Sequence, residues 1–143
     1  MFMGAYQHSL DEKGRLIIPA KFRDSLGDNF ILNQGLDNCL YIYPRSQWKV
    51  LEEKIKELPT ADPKTRAFVR LFFSGAVEAE LDKQGRIVIP QHLREHAALE
   101  KDVYVIGVST KVEVWSKENW EKYSMETKQS YEGFAQNIVN LGI

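Results

Sequence analysis

The chain has 143 residues, 43% of them apolar, and a formal net charge of −1. That length fits one domain or two very small ones, and the near-zero charge excludes a uniformly basic nucleic-acid binder. No apolar run approaches the roughly 18 residues of a membrane span, Met1-Phe2-Met3-Gly4 shows no secretory pattern, and the single cysteine, Cys39, excludes an intramolecular disulfide and fits a reducing cytoplasm.

In chain order, residues 1–9 form the first strand, leading into the polar run Asp11-Glu12-Lys13-Gly14. An Asp at the start of a turn accepts hydrogen bonds from its own backbone, and Gly supplies positive φ, so this run is a turn. Arg15-Leu16-Ile17-Ile18 is the returning strand of a hairpin. Its aliphatic residues do not alternate with polar ones, which predicts cover on both faces. Pro19 suits the first position of a short helix whose apolar face is Phe22 and Leu26 and whose stop is Gly27.

Phe30-Ile31-Leu32 and Leu40-Tyr41-Ile42-Tyr43 are strands separated by a turn with Gly35, Asp37 and Asn38. Cys39 beside the second strand is a small buried hydrophobe. Ser46 is the expected N-cap of a helix carrying the stripe Trp48, Leu51, Ile55 and Leu58. Pro59 to Pro63 breaks that helix, and Lys64 to Phe73 forms another with Phe68, Leu71 and Phe72 on its apolar side.

Residues 75–81 alternate apolar and acidic side chains, the pattern of a half-buried strand. Val103 to Ile106 and Val112 to Trp115 are further strands. Ser116 is the expected cap of a last helix opened by Trp120 and Tyr123. Its tail carries Tyr131, Phe134, Ile138 and Leu141, a stripe that packs either on the chain's own core or on a neighbouring subunit.

The chain is two copies of one unit. Leu10 to Arg23 aligns with Leu81 to Arg94 with seven identities in fourteen positions, among them Asp, Gly, Arg and Pro. Units of about 70 residues are marginal alone, so the copies share one core. Charge is uneven: Lys13, Arg15, Lys21 and Arg23 face only Asp11 and Glu12 within residues 11–23. Residues 45–70 hold seven basic side chains against four acidic, whereas residues 113–132 hold three against five.

The doubled D-x-x-G-R-[LI]-[IV]-I-P pattern resembles the AbrB/SpoVT type of DNA-binding fold. Two copies in one chain of this length resemble the MraZ family, bacterial transcriptional regulators of the division and cell-wall gene cluster. The resemblance implies an α+β, mainly β fold: a tandem-repeat, pseudo-dimeric swapped-hairpin barrel with short flanking helices. Residues 1–60 would be the first repeat, 61–74 a linker helix, and 75–143 the second repeat with its C-terminal helix. It further implies duplex DNA as partner, in the promoter region of the chain's own operon, and a ring-like homo-oligomer that gathers several turns on short DNA repeats. Such a regulator is expected in the cytoplasm with the nucleoid.

Within that reading Arg15 and Arg86 contact bases or phosphates, because a guanidinium can fork to guanine O6 and N7. Asp11 and Asp82, four residues earlier, orient them. Lys13, Lys83, Lys21, Arg23 and Arg94 add basic groups, the last three as phosphate contacts from the helices after the prolines. No cofactor, membrane or small-molecule substrate is expected. His92 and His96 are four apart but lack a third ligand, so no metal site is expected. Nucleotide loops, nucleophile elbows and cysteine–histidine signatures are missing, which argues against an enzyme. The other reading is a protein–protein module, antitoxin-like or scaffolding, on the same fold.

Overall fold

Leu16 and Ile87 have no exposed surface to speak of, and each is covered by the other copy of the repeat. In the computed structural model, which describes residues 1–138 and 142, the first copy comprises β1 (Phe2–Ser9), β2 (Arg15–Ile17), α1 (Ala20–Leu26), β3 (Asn29–Gln34), β4 (Leu40–Pro44) and α2 (Arg45–Lys56). A helix, α3 (Pro63–Gly75), leads to the second: β5 (Val77–Glu80), β6 (Arg86–Val88), α4 (Gln91–His96), β7 (Asp102–Ser109), β8 (Val112–Ser116) and α5 (Lys117–Asn137).

Six strands form one antiparallel sheet in the order β1-β7-β8-β4-β3-β5, and β2 pairs with β6 in a separate two-stranded ribbon. The first strand of each copy thus pairs with the third strand of the other: β1 on β7, β5 on β3. This is the expected exchange, and the α+β class holds. The expected barrel does not close, however. β1 and β5 remain sheet edges, because the chain makes one bridge, Leu10 to Leu16, before β2 leaves to pair with β6. The predicted hairpin of β1 and β2 is therefore a turn whose two arms diverge.

The shared core gathers Phe22, Phe30, Leu32 and Ile42 from the first copy with Leu93, Val103, Val105 and Val114 from the second. Phe22 makes T-shaped contacts with Phe2 and Tyr6, at centroid distances of 5.6 and 5.4 Å, which ties α1 to the first strand. Phe30, Ile31 and Leu32 are all buried, as a strand covered on both faces requires. β2 and β6 differ from that expectation. Ile17 is 41% and Val88 58% exposed, since of the ribbon's paired aliphatic residues only Leu16 and Ile87 point inward.

Side chains cap two helices, one at the expected Ser116 and one at Asp62, which the sequence reading did not name. Ser116 accepts from Asn119 N at 3.0 Å, and Asp62 accepts from Lys64 N at 2.9 Å. At α2 the helix begins one residue before Ser46, with Pro44 at the cap and no side-chain cap bond. Pro19 and Pro90 likewise stand at the caps of α1 and α4 rather than inside them. Trp48 stacks on Phe72 at 5.5 Å, which joins α2 to α3. Trp120 and Tyr123 pack on Trp115, but beyond them α5 buries nothing. Tyr131, Phe134 and Ile138 stand more than half exposed, so the tail does not pack on the chain's own core; Leu141 lies outside the described residues. Among the described residues no helix is long and apolar enough to cross a membrane.

Truncating either inward side chain of the ribbon opens a cavity under both copies. Leu16→Ala and Ile87→Ala should each lower stability by about 2–5 kcal/mol, read as a shift of the urea midpoint.

Candidate nucleic-acid interface

The two Asp-to-Arg turns are built alike. In the first, Asp11 Oδ1 accepts from the backbone N–H groups of Lys13 (3.0 Å) and Arg15 (2.8 Å), while Oδ2 accepts from Arg15 Nε at 2.6 Å. In the second, Asp82 Oδ1 accepts from Gln84 N and Arg86 N, both at 2.9 Å, and Oδ2 from Arg86 Nε at 2.8 Å. Each carboxylate thereby shapes the backbone turn and holds the guanidinium by its inner nitrogen. The bond from the backbone N–H of the arginine, reinforced by its side chain, keeps both carboxyls below their ordinary value, against a smaller opposing effect of desolvation.

Each turn is closed by the other copy. Ile18 N donates to Gly85 O at 3.0 Å and Ile89 N donates to Gly14 O at 2.8 Å. Both glycines have positive φ, 77° and 78°, and both are roofed by a guanidinium of the opposite copy. A Cβ on Gly14 would stand 2.7 Å from Arg94 Nη1, and one on Gly85 2.7 Å from Arg23 Nη2. Arg23 is further tied by its Nε to Ile18 O at 2.9 Å. The helices after the prolines therefore lay Arg23 and Arg94, half-buried, across the opposite turns, and leave Lys21 exposed.

The ribbon carries a patterned outer face. Its register sets Arg15 opposite Val88, Leu16 opposite Ile87 and Ile17 opposite Arg86. With Leu16 and Ile87 inward, the outward residues are two arginines on one diagonal and two aliphatic side chains on the other. Lys13 and Lys83 are exposed on the flanking turns. The exposure of Ile17 and Val88 escaped the reading of the sequence, although the strict period of two in a strand was the available signal.

Other candidates disperse. The His92 and His96 rings approach different carbonyls, Gly75 O at 3.1 Å and Gly35 O at 3.0 Å, and no metal-binding cluster occurs among the described residues. Cys39 is buried with its Sγ on Leu36 O at 3.1 Å, and desolvation pushes its thiol far above the ordinary range. A cleft of about 370 Å³ between α2, α3 and β4 is lined by Tyr41, Tyr43, Leu51, Ile55, Phe68 and Phe72 among others, with no carboxylate.

The family model described as "MraZ protein, putative antitoxin-like" matches the chain twice, over residues 1–71 and 72–139. The chain belongs to the MraZ family. It is 57% identical to the transcriptional regulator MraZ of Natranaerobius thermophilus, over 143 residues and the full length of both chains. Identity to the proteins of the same name from Caldanaerobacter subterraneus subsp. tengcongensis and Acetivibrio thermocellus is 59% and 60%, again over full length. The second match to the MraZ model begins inside α3, so the helix between the copies is divided between them.

The bonds that lower the two carboxyl pKa values set a pH dependence. Their stabilisation of the turns is complete above the unfolded value near 3.9 and is lost as pH falls through the lower folded values. Carbon-13 carboxyl titration should place the midpoints of Asp11 and Asp82 below that unfolded value. Midpoints at or above it would contradict the turn geometry.

Proposed function

We propose that this chain is a transcriptional regulator that binds duplex DNA sequence-specifically through the β2–β6 ribbon and its two turns. One observation carries the reading. Two guanidinium groups stand on the outer face of one ribbon, each held at Nε by a carboxylate, with no hydrogen bond from a terminal nitrogen to any described residue. Side-chain exposures of 32% for Arg15 and 25% for Arg86 mark groups that are ordered yet reachable. A major groove admits a two-stranded ribbon, and an arginine fork matches guanine O6 and N7. Fixing the fork beforehand lowers the entropy lost on binding.

In this reading Asp11 and Asp82 orient the arginines, and Lys13, Lys83 and Lys21 meet phosphates beside the groove. Arg23 and Arg94 hold the turns and add positive potential behind them. The names of the relatives, all transcriptional regulators, support a regulatory role. The sites are short repeats in the promoter of the chain's own operon, a division and cell-wall cluster, bound by a ring of subunits with the nucleoid. Assembly answers the net charge of −1, because a ring pools several local positive patches on one face.

A second reading, a protein–protein module, is favoured by the exposed stripe Tyr131, Phe134 and Ile138 and by the words "antitoxin-like" in the family description. It predicts a bound protein partner and no salt-dependent affinity for DNA.

Titration of the promoter duplex upstream of the gene, against a scrambled duplex and across a salt series, separates the two. Preference for the promoter with a steep fall in salt supports the regulator; no binding at low salt supports the module. Arg15→Ala and Arg86→Ala should each weaken promoter binding by about 1–3 kcal/mol per lost bidentate contact, with an unchanged circular dichroism spectrum. Unchanged affinity in either folded variant would remove that arginine from the interface.

A further inference from the structure

The outer face of the ribbon is only half explained by its arginines. Ile17 and Val88 share that face, 41% and 58% exposed, and each stands directly across the ladder from an arginine: Ile17 from Arg86, Val88 from Arg15. Side chains opposite one another in an antiparallel ladder lie about 4.5–5.5 Å apart. A stacked base step rises about 3.4 Å. An arginine and the aliphatic group across from it therefore reach neighbouring base pairs rather than the same one.

A surface seated against base edges excludes water from what it covers. Phosphates and base edges are polar, and an aliphatic side chain placed on them strips their hydration and returns no hydrogen bond. The one apolar group in the major groove is the C5-methyl of thymine. A ribbon selected only for charge would carry polar residues at these positions, as strands do on an open face.

We propose that Ile17 and Val88 are specificity-determining residues, each packing on the thymine methyl of a base pair next to the one its cross-strand arginine reads. The inference rests on the DNA-binding reading above and goes beyond it, since it assigns a base preference to side chains that carry no charge. The pseudo-twofold relation of β2 and β6 makes the two pairs, Arg15 with Val88 and Arg86 with Ile17, equivalent readers. Ile17 and Val88 differ by one methylene, so the two halves of the ribbon do not demand identical fit.

The test replaces thymine with deoxyuridine, which removes the methyl group and leaves every hydrogen-bonding edge in place. The probe is the promoter duplex upstream of the gene, synthesised with thymidine or throughout with deoxyuridine, and titrated at one fixed salt concentration. The wild-type chain should bind the uracil duplex at least about fourfold more weakly, the worth of one buried methyl group. The variant Ile17→Ser/Val88→Ser, which removes the methyl groups of both side chains and is checked for an unchanged circular dichroism spectrum, should bind the thymine duplex as weakly as wild type binds the uracil duplex, and should no longer tell the two apart. Equal wild-type affinity for both duplexes, with preference over a scrambled duplex intact, would overturn the proposal and leave the DNA-binding reading standing. Equal discrimination by wild type and variant would also overturn it, because the methyl effect would then arise elsewhere. No binding of any duplex would overturn the DNA-binding reading itself and this inference with it.

Discussion

The pairing of β2 with β6 is the contact on which the rest of the molecule depends. It sets Leu16 against Ile87, both fully inward, and each such burial contributes about 1.5–3 kcal/mol. More than that energy, it supplies what neither repeat has alone. The carbonyl of each turn glycine accepts its hydrogen bond from the strand end of the opposite copy, and the roof over each glycine is the opposite copy's arginine. The two Asp–Arg pairs can therefore be rigid only when both repeats are in place. An isolated copy would expose an aliphatic strand and an unclosed turn, so site and core form together.

Electrostatics in this chain works by arrangement rather than by total. Each arginine that faces outward is paired with a carboxylate, so the pair adds little net charge to the ribbon. What the carboxylate contributes is order: by accepting from Nε, it holds the guanidinium beside its turn. Arg23 and Arg94 are unlike these two, since their guanidinium groups are held against backbone and cannot swing out without uncovering the glycines. The turns also differ between copies, with Glu12 and Lys13 in one and Lys83 and Gln84 in the other. A joined pair of repeats can hold such a difference, whereas two identical chains could not.

Much of this was legible in the residues. The doubled motif located both turns, and the Phe22 and Leu26 spacing located the buried face of α1. Ser116 announced the start of α5 through its capping hydroxyl. Four features were not legible, for physical reasons. A three-residue aliphatic run is compatible with one covered face or two, so Ile17 and Val88 were read as buried. Alternation tells which face of a strand is apolar but not which strand it joins, so the partner of β2 could not be derived from periodicity. A stripe such as Tyr131, Phe134 and Ile138 shows that a helix has an apolar side, and says nothing about what lies against it. The seating of Arg23 and Arg94 over glycines about 60 to 80 residues away in sequence has no local signature at all.

The exchange of strands also bears on how the molecule comes into being at the ribosome. Phe2–Ser9 is made well before its ladder partner, Asp102–Ser109. At synthesis rates of roughly 5–20 residues per second, β1 waits about 5–20 s before its ladder can form. The nascent chain cannot secure its first half by finishing that half. The ladder that holds β1 forms only after β7 has been made, so a product that stops before Asp102 lacks it.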